Sequence, residues 1–389
     1  MSNVERPWRR LAAVCLLLLQ LGCAPFTDLA PARDSNSTDV VGLRKVIALV
    51  PDAQSATQIR AAARAEGYRE LDVTRLRALD LTMLTFRMTG QVTGAQAIAK
   101  LEAAVPSSTV GINHAYRLQQ QAAPVGALDF AATMMSWSPG GCRALAPVGL
   151  IDTGIDTASP ALAGVQIRTR TFFEGPAAAS RHGTDVASIL VGPDRLRDAR
   201  IIGANVFGQS DERGPMAGAD ALVRALDWLA EEDVQFVNLA LAGPYNKLLD
   251  LAVERASARG LILVAAVGND GPEVDPLYPA GFESVIAVTA IDADRRLYRN
   301  AVRGPHVDVA APGVDVLVGS GQNARFVTGT SIATPFVTAR LAADPSLAGT
   351  RSIPIVRRQL AVTSAELGPR GRDTMFGYGL ALATGLCGD

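Results

Sequence analysis

At 389 residues the chain has room for one large domain and a smaller one. Its apolar content of 48%, with 36 glycines and 22 prolines, is that of a globular, loop-rich protein. The net charge is -1 and the basic residues are scattered singly, which argues against nucleic acid or an anionic membrane surface as the principal partner.

Residues 1–23 read as an export signal. Arg6, Arg9 and Arg10 precede an apolar run over 11–19 that is too short to span a bilayer. The run ends in Leu21-Gly22-Cys23, which resembles a bacterial lipobox with Cys23 as the acylated residue, although Gln20 stands where that motif carries an aliphatic side chain. Ordinary signal cleavage nearby and a plain membrane anchor are the alternatives. The expected location is the bacterial cell envelope, as a periplasmic protein or a membrane-anchored lipoprotein, or outside the cell.

Residues 24–40, rich in Ala and Pro and then polar, read as a linker. Residues 41–119 read as a self-contained α+β unit. Strands are expected over 46–50 and 81–86, helices over 56–67 and 95–105, and a closing strand over 110–118. That order suits a small split-βαβ, ferredoxin-like sandwich, and nothing in it has catalytic spacing. Residues 120–145, punctuated by Pro124, Pro139, Gly140 and Gly141, read as a connector.

Over 146–389 the pattern changes. Unalternating apolar runs at 147–151, 200–203, 234–240, 261–267 and 285–289 are separated by helical stretches that include 219–232 and 247–260. This is the pattern of an α/β domain whose parallel sheet is covered by helices on both faces. In such sheets chemistry gathers at the carboxyl ends of the strands. Cys15 and Cys23 belong to the signal, which leaves Cys142 and Cys387 as an even pair in an exported chain. A disulfide tying the entry of the large domain to its C-terminus is the expectation, and two separate buried thiols are the alternative.

Four fragments of this domain can carry chemistry. Asp152 directly follows the first apolar run, with Gly154 allowing the chain to turn; it is either held facing a ring nitrogen or stabilises its own loop. His182 opens an apolar helical stretch, and Gly183 permits close packing there. The chain has three histidines, which argues against a His-rich metal site. His114 falls in the small unit and His306 in a Gly-Pro loop with an expected surface role, so His182 is the candidate base. Asn269 ends the run over 261–269, where its amide can donate to a developing oxyanion or simply form an Asn-Asp-Gly turn. Ser331 follows the tight turn Gly329-Thr330 and opens a helix expected to run through 341, with Pro335 in its first turn. A serine there is a common N-cap, or a nucleophile whose own N–H points at a developing anion.

Together the fragments resemble the subtilisin-like serine peptidases. The order Asp152, His182, Ser331, with Asn269 before the serine, is the subtilisin order of a triad. The resemblance extends over 146–383 and includes Ile151-Asp152-Thr153-Gly154, His182-Gly183-Thr184, the segment over 265–271, the segment over 307–313, Gly329-Thr330-Ser331 and Phe376-Gly377-Tyr378-Gly379. It implies a serine endopeptidase acting on proteins or peptides through an acyl-enzyme. Ser331 would be the nucleophile, His182 the base, Asp152 its orienting acid and Asn269 part of the oxyanion hole. Leu239, Ala240, Leu241, Ala265, Ala266, Val267 and Gly268 would line the substrate groove, which binds extended peptide by strand addition. The 41–119 unit would be a propeptide acting as intramolecular inhibitor, with processing somewhere in 118–145. No metal set can be assigned; calcium, frequent in the family, is left open, and no other cofactor is expected. The alternative to an enzyme is a catalytically silent relative that holds peptides in the same groove.

Three positions depart from the family pattern. Asp185 replaces a histidine, and its charge would favour the protonated form of His182. Ala240 replaces a serine beside the substrate strand, and Ile332 replaces the oxidisable methionine after the nucleophile.

Overall fold

The computed structural model describes residues 40–387 except 43, 90–91, 120, 123–129, 193, 211–213 and 320–323. The export signal, Cys23 and the linker up to residue 39 lie outside the described residues. Among the described residues no helix is long and apolar enough to cross a membrane.

The apolar runs beyond residue 146 become strands of one large sheet. Among the described residues its order is Ser364–Ala365, Leu380–Ala381, Val309–Pro312, Val285–Ile291, Ile262–Ala266, Phe236–Leu239, Val148–Asp152, Arg200–Asn205 and Gln166–Thr171. Neighbours run parallel except the first pair. Val148–Asp152, Phe236–Leu239, Ile262–Ala266 and Val285–Ile291 are buried at every position, because helices cover both faces. Apolar side chains are therefore needed on both sides of each strand, and the sequence does not alternate.

The helix Thr330–Ala342 is buried along its whole length. Helices Ala219–Glu231 and Lys247–Ala258 are amphipathic, each with an exposed or half-buried flank. Pro335 is the sixth residue of the Thr330–Ala342 helix rather than part of its first turn. Its missing N–H leaves the Ser331 carbonyl without the usual intrahelical donor.

Residues 41–112 form an antiparallel sheet in the order Arg69–Leu76, Leu81–Arg87, Lys45–Val50, Thr109–Ile112. Helices Ala53–Ala65 and Gly94–Ala104 lie on one face. Asp52 caps the first by accepting from Ser55 N at 2.7 Å, and Thr93 with Gln96 forms a capping box on the second. The strand Arg69–Leu76 is absent from the sequence expectation, because this mostly exposed edge carries charged residues in place of clean alternation.

The alternation of Lys45–Val50 explains how the two parts join. Val46, Ala48 and Val50 pack with Ile59 and Leu101 beneath the unit's own helices. Ile47 and Leu49 point the other way and, with Leu81 and Met83, merge into the core of the large domain. Polar contacts border that seam. Leu79 N donates to Asp227 at 3.0 Å, Asn246 Nδ2 donates to Ile112 O at 2.8 Å, and Lys247 pairs with Glu102.

The expected closing strand over 110–118 is two strands. Thr109–Ile112 stays with the small sheet, while Ala115–Leu118 leaves it. The break falls at Asn113, whose amide exchanges hydrogen bonds with Asp220: Asn113 Nδ2 to Asp220 Oδ1 at 2.7 Å and Asp220 N to Asn113 Oδ1 at 3.0 Å. Beyond it, Ala115–Leu118 runs antiparallel between Gly214–Gly218 and Leu241–Ala242 of the large domain. Cys142 and Cys387 are disulfide-bonded across 245 residues, with their Cα atoms 5.0 Å apart.

Candidate active site

Asp152 is the last residue of the Val148–Asp152 strand and is buried. Its Oδ1 accepts from Thr153 N at 2.6 Å. Across from it, the Arg181–Leu190 helix starts unusually close to the 152–154 turn. A Cβ on Gly183 would stand 2.6 Å from both Thr153 O and Gly154 O, so only glycine permits this approach. Gly183 N is tied to Thr153 Oγ1 at 2.9 Å. The result sets His182 Nδ1 2.7 Å from Asp152 Oδ1 and 2.9 Å from Oδ2.

An ionised carboxylate only accepts hydrogen bonds, so Nδ1 carries the proton and Nε2 is left as an acceptor. Ser331 Oγ lies 3.0 Å from that Nε2. Ser331 is the second residue of the Thr330–Ala342 helix, where its N–H has no intrahelical acceptor. The three side chains form one chain of hydrogen bonds from a buried carboxylate to a hydroxyl. This arrangement can activate Ser331 Oγ by proton transfer to His182.

Asn269 completes the site through a residue that the sequence reading does not single out. Thr330 donates to Asn269 Oδ1 twice, from N at 3.1 Å and from Oγ1 at 3.0 Å, and Thr330 Oγ1 accepts from Gly268 N at 3.2 Å. The carbonyl end of the amide is thereby fixed, and Nδ2 is buried without an acceptor. A buried, oriented and unsatisfied donor beside a nucleophile is placed to meet charge that develops only during reaction.

The groove is occupied by the chain itself. Tyr116 pairs with Ala217, Arg117 with Ala242 and Leu118 with Leu241, and after the next residues Gln121 pairs with Thr328 and Ala122 with Val327. Between these ladders, Gln119 O lies 2.5 Å from Ser331 Oγ and 3.4 Å from Ser331 N. Ser331 has one hydroxyl proton and two acceptors in reach, His182 Nε2 and Gln119 O. Donating to His182 leaves an oxygen lone pair beside the Gln119 carbonyl group.

Among the expected groove residues, Leu241 pairs with Leu118 directly. Leu239, Ala265 and Ala266 lie inside the large sheet, paired with neighbouring strands. Ala240, Val267 and Gly268 are also buried or positioned behind the surface, and Gly268 N serves Thr330. The opposite wall, Gly214–Gly218, is missing from the sequence reading, because Gly214, Pro215 and Gly218 disguise a strand.

Two other expectations change. Both oxygens of Asp185 take hydrogen bonds from Arg325 Nη2 at 2.5 Å. The Asp185 charge expected to act on His182 therefore has a cationic partner of its own. His306 is half-buried: both ring nitrogens are buried without a hydrogen-bond partner, and burial lowers its pKa to about 4, with Asp308 acting upward and Arg372 downward. Among the described residues, no group of three or more His, Cys, Asp or Glu is placed to hold a metal ion.

The family model described as the subtilase family matches residues 146–379. The chain is 32% identical over 213 residues to the minor extracellular protease Epr of Bacillus subtilis (strain 168), covering 51% of this chain and 32% of that protein. It is 33% identical over 245 residues to a thermophilic serine proteinase of Bacillus sp. (strain AK1), covering 60% and 59% respectively. With subtilisin DY of Bacillus licheniformis it shares 32% identity over 232 residues, covering 57% of this chain and 84% of the relative. The chain thus spans less than two thirds of each of the first two of these relatives. In fold it is similar to fervidolysin from Fervidobacterium pennivorans, a keratinolytic enzyme related to subtilisin, with a TM-score of 0.69 at 20% identity over 88% of this chain and 60% of that one.

Proposed function

The chain belongs to the subtilase family, and from that premise we propose that it is an exported serine endopeptidase synthesised with its own inhibitor. The peptidase is the 146–389 domain, and residues 41–119 are the inhibitory unit. The first bond cut is the one that joins Gln119 to Gln120.

The observation that carries this reading is the position of Gln119 O beside Ser331 Oγ and N, inside strand ladders that hold the chain on both sides. In the proposed reaction Ser331 Oγ attacks the Gln119 carbonyl carbon while His182 Nε2 takes the hydroxyl proton. Asp152 holds the Nδ1 tautomer and stabilises the imidazolium that forms. The tetrahedral oxyanion accepts from Ser331 N–H and from Asn269 Nδ2, which lacks an acceptor before the reaction. Collapse breaks the C–N bond, and His182 returns its proton to the departing Gln120 nitrogen. Water then enters, His182 again serves as base, and the Gln119 carboxylate is released.

The same geometry supports the inhibitor reading. The face bearing Ile47, Leu49, Leu81 and Met83 continues the large domain's core, so the unit stays seated after the bond is cut until it is displaced or degraded. Attachment through acylated Cys23 remains part of the proposal for the uncleaved chain; cutting after Gln119 would break the covalent link to that anchor, and loss of the seated unit would then free the peptidase. Fluorophosphonate labelling of wild type and Ser331→Ala tests the enzyme reading. Labelling confined to wild type, at Ser331, is expected; an unlabelled wild type with an accessible groove would favour a silent peptide-holding protein.

A further inference from the structure

Resting on the endopeptidase reading, we propose that the groove selects glutamine at the residue whose carbonyl is attacked, with the main-chain N–H of Asn269 reading its side chain. The Gln119 side chain is 5% exposed. Its Oε1 accepts from Asn269 N at 2.8 Å, and its Nε2 lies 3.4 Å from Arg117 O on its own strand. Asn269 thus acts twice at one residue: its side chain faces the oxyanion position and its backbone faces the substrate side chain.

Alternatives at this position lose identifiable contacts. An aliphatic or phenyl side chain covers the part-buried Asn269 N–H and offers it no acceptor. A glutamate could accept from that N–H, but its second oxygen would face Arg117 O where the glutamine amide donates, and its charge would be desolvated. Asparagine has the right chemistry and is one methylene too short. The chain cannot slide to compensate, because Leu118 is registered on Leu241 and Gln121 on Thr328. Tyr116 adds a lock: its ring fills the space in front of Gly243, where a Cβ would come within 2.5 Å of it.

The experiment uses the full chain as expressed. Blocked peptides of sequence Ala-Tyr-Arg-Leu-Xaa-Gln-Gln-Ala, with Xaa as Gln, Leu, Phe or Glu, are offered to the wild-type preparation, and cut sites are read by mass spectrometry. In kcat/KM, glutamine is expected to exceed leucine and phenylalanine about tenfold, and glutamate by more. Gln119→Leu in the full chain should slow self-cleavage by a similar factor. Equal or faster cutting after leucine or phenylalanine overturns the proposal. Fluorophosphonate labelling is run in parallel: labelled Ser331 without glutamine preference sinks the selectivity alone, whereas absent labelling with no peptide cut sinks the endopeptidase reading with it.

Discussion

Gly183→Ala tests whether the triad depends on one close backbone approach. The new Cβ would stand 2.6 Å from Thr153 O and Gly154 O. A relaxed carbon–oxygen contact is about 3.3 Å, so the start of the Arg181–Leu190 helix must withdraw by roughly 0.7 Å. The withdrawal acts on the residue beside His182, whose Nδ1 now sits 2.7 Å from Asp152 Oδ1 and whose Nε2 sits 3.0 Å from Ser331 Oγ. Since a misplacement of about 1 Å can cost about 100-fold in rate, the expected loss is roughly 10- to 100-fold. Overpacking a buried site adds a stability cost of about 1–3 kcal/mol. The assay pairs the rate of fluorophosphonate labelling with a thermal midpoint, which separates misalignment from unfolding. Labelling at the wild-type rate in a folded Gly183→Ala protein would refute the argument that this contact sets the His182–Asp152 geometry.

Three further outcomes follow from single features. Ile332, buried next to Ser331, cannot form a sulfoxide, so activity is expected to survive dilute hydrogen peroxide; rapid inactivation with Ser331 still present would contradict this. His306 should weaken the fold in acid: its folded pKa is depressed to about 4, so the stability it contributes is complete above its unfolded value and is lost as the pH falls from about 6.5 towards 4. The loss is up to about 3 kcal/mol, and His306→Phe should flatten the melting-temperature profile across that window; an unchanged slope would remove His306 from the account. Cys387→Ser opens a crosslink spanning 245 residues and should lower stability by about 2–5 kcal/mol in thermal unfolding; reductant should lower the wild-type midpoint and leave that of Cys387→Ser unchanged, and equal midpoints for the two proteins without reductant would contradict this.

Much of the large domain was legible because its strands are buried on both faces and so read as unbroken apolar runs. Asp152, His182 and Ser331 were legible for a different reason: each stands at the end of such a run or the start of a helix, with a glycine within two residues. What the sequence concealed lies in pairings between distant segments. The 110–118 run has one continuous β pattern, yet its halves belong to different sheets, because Asn113 engages Asp220 and turns the chain. Thr330 looks like an ordinary turn residue until Asn269 is placed against it. Arg325 lies 140 residues from Asp185, so the offset of that carboxylate could not be read locally. His306 sits in a loop-like Gly-Pro context, and the remote Arg372, which donates to His306 O at 3.3 Å and to Val307 O at 3.1 Å, could not be read from its neighbours.

The central claim is that Ser331 meets the chain's own Gln119 carbonyl. The most direct test is the intact mass and N-terminal sequence of purified wild type beside Ser331→Ala. The account predicts a wild-type fragment beginning at Gln120 and an uncut Ser331→Ala chain of full processed length. A wild type that stays uncut, or equal cleavage at this bond in Ser331→Ala, would contradict it.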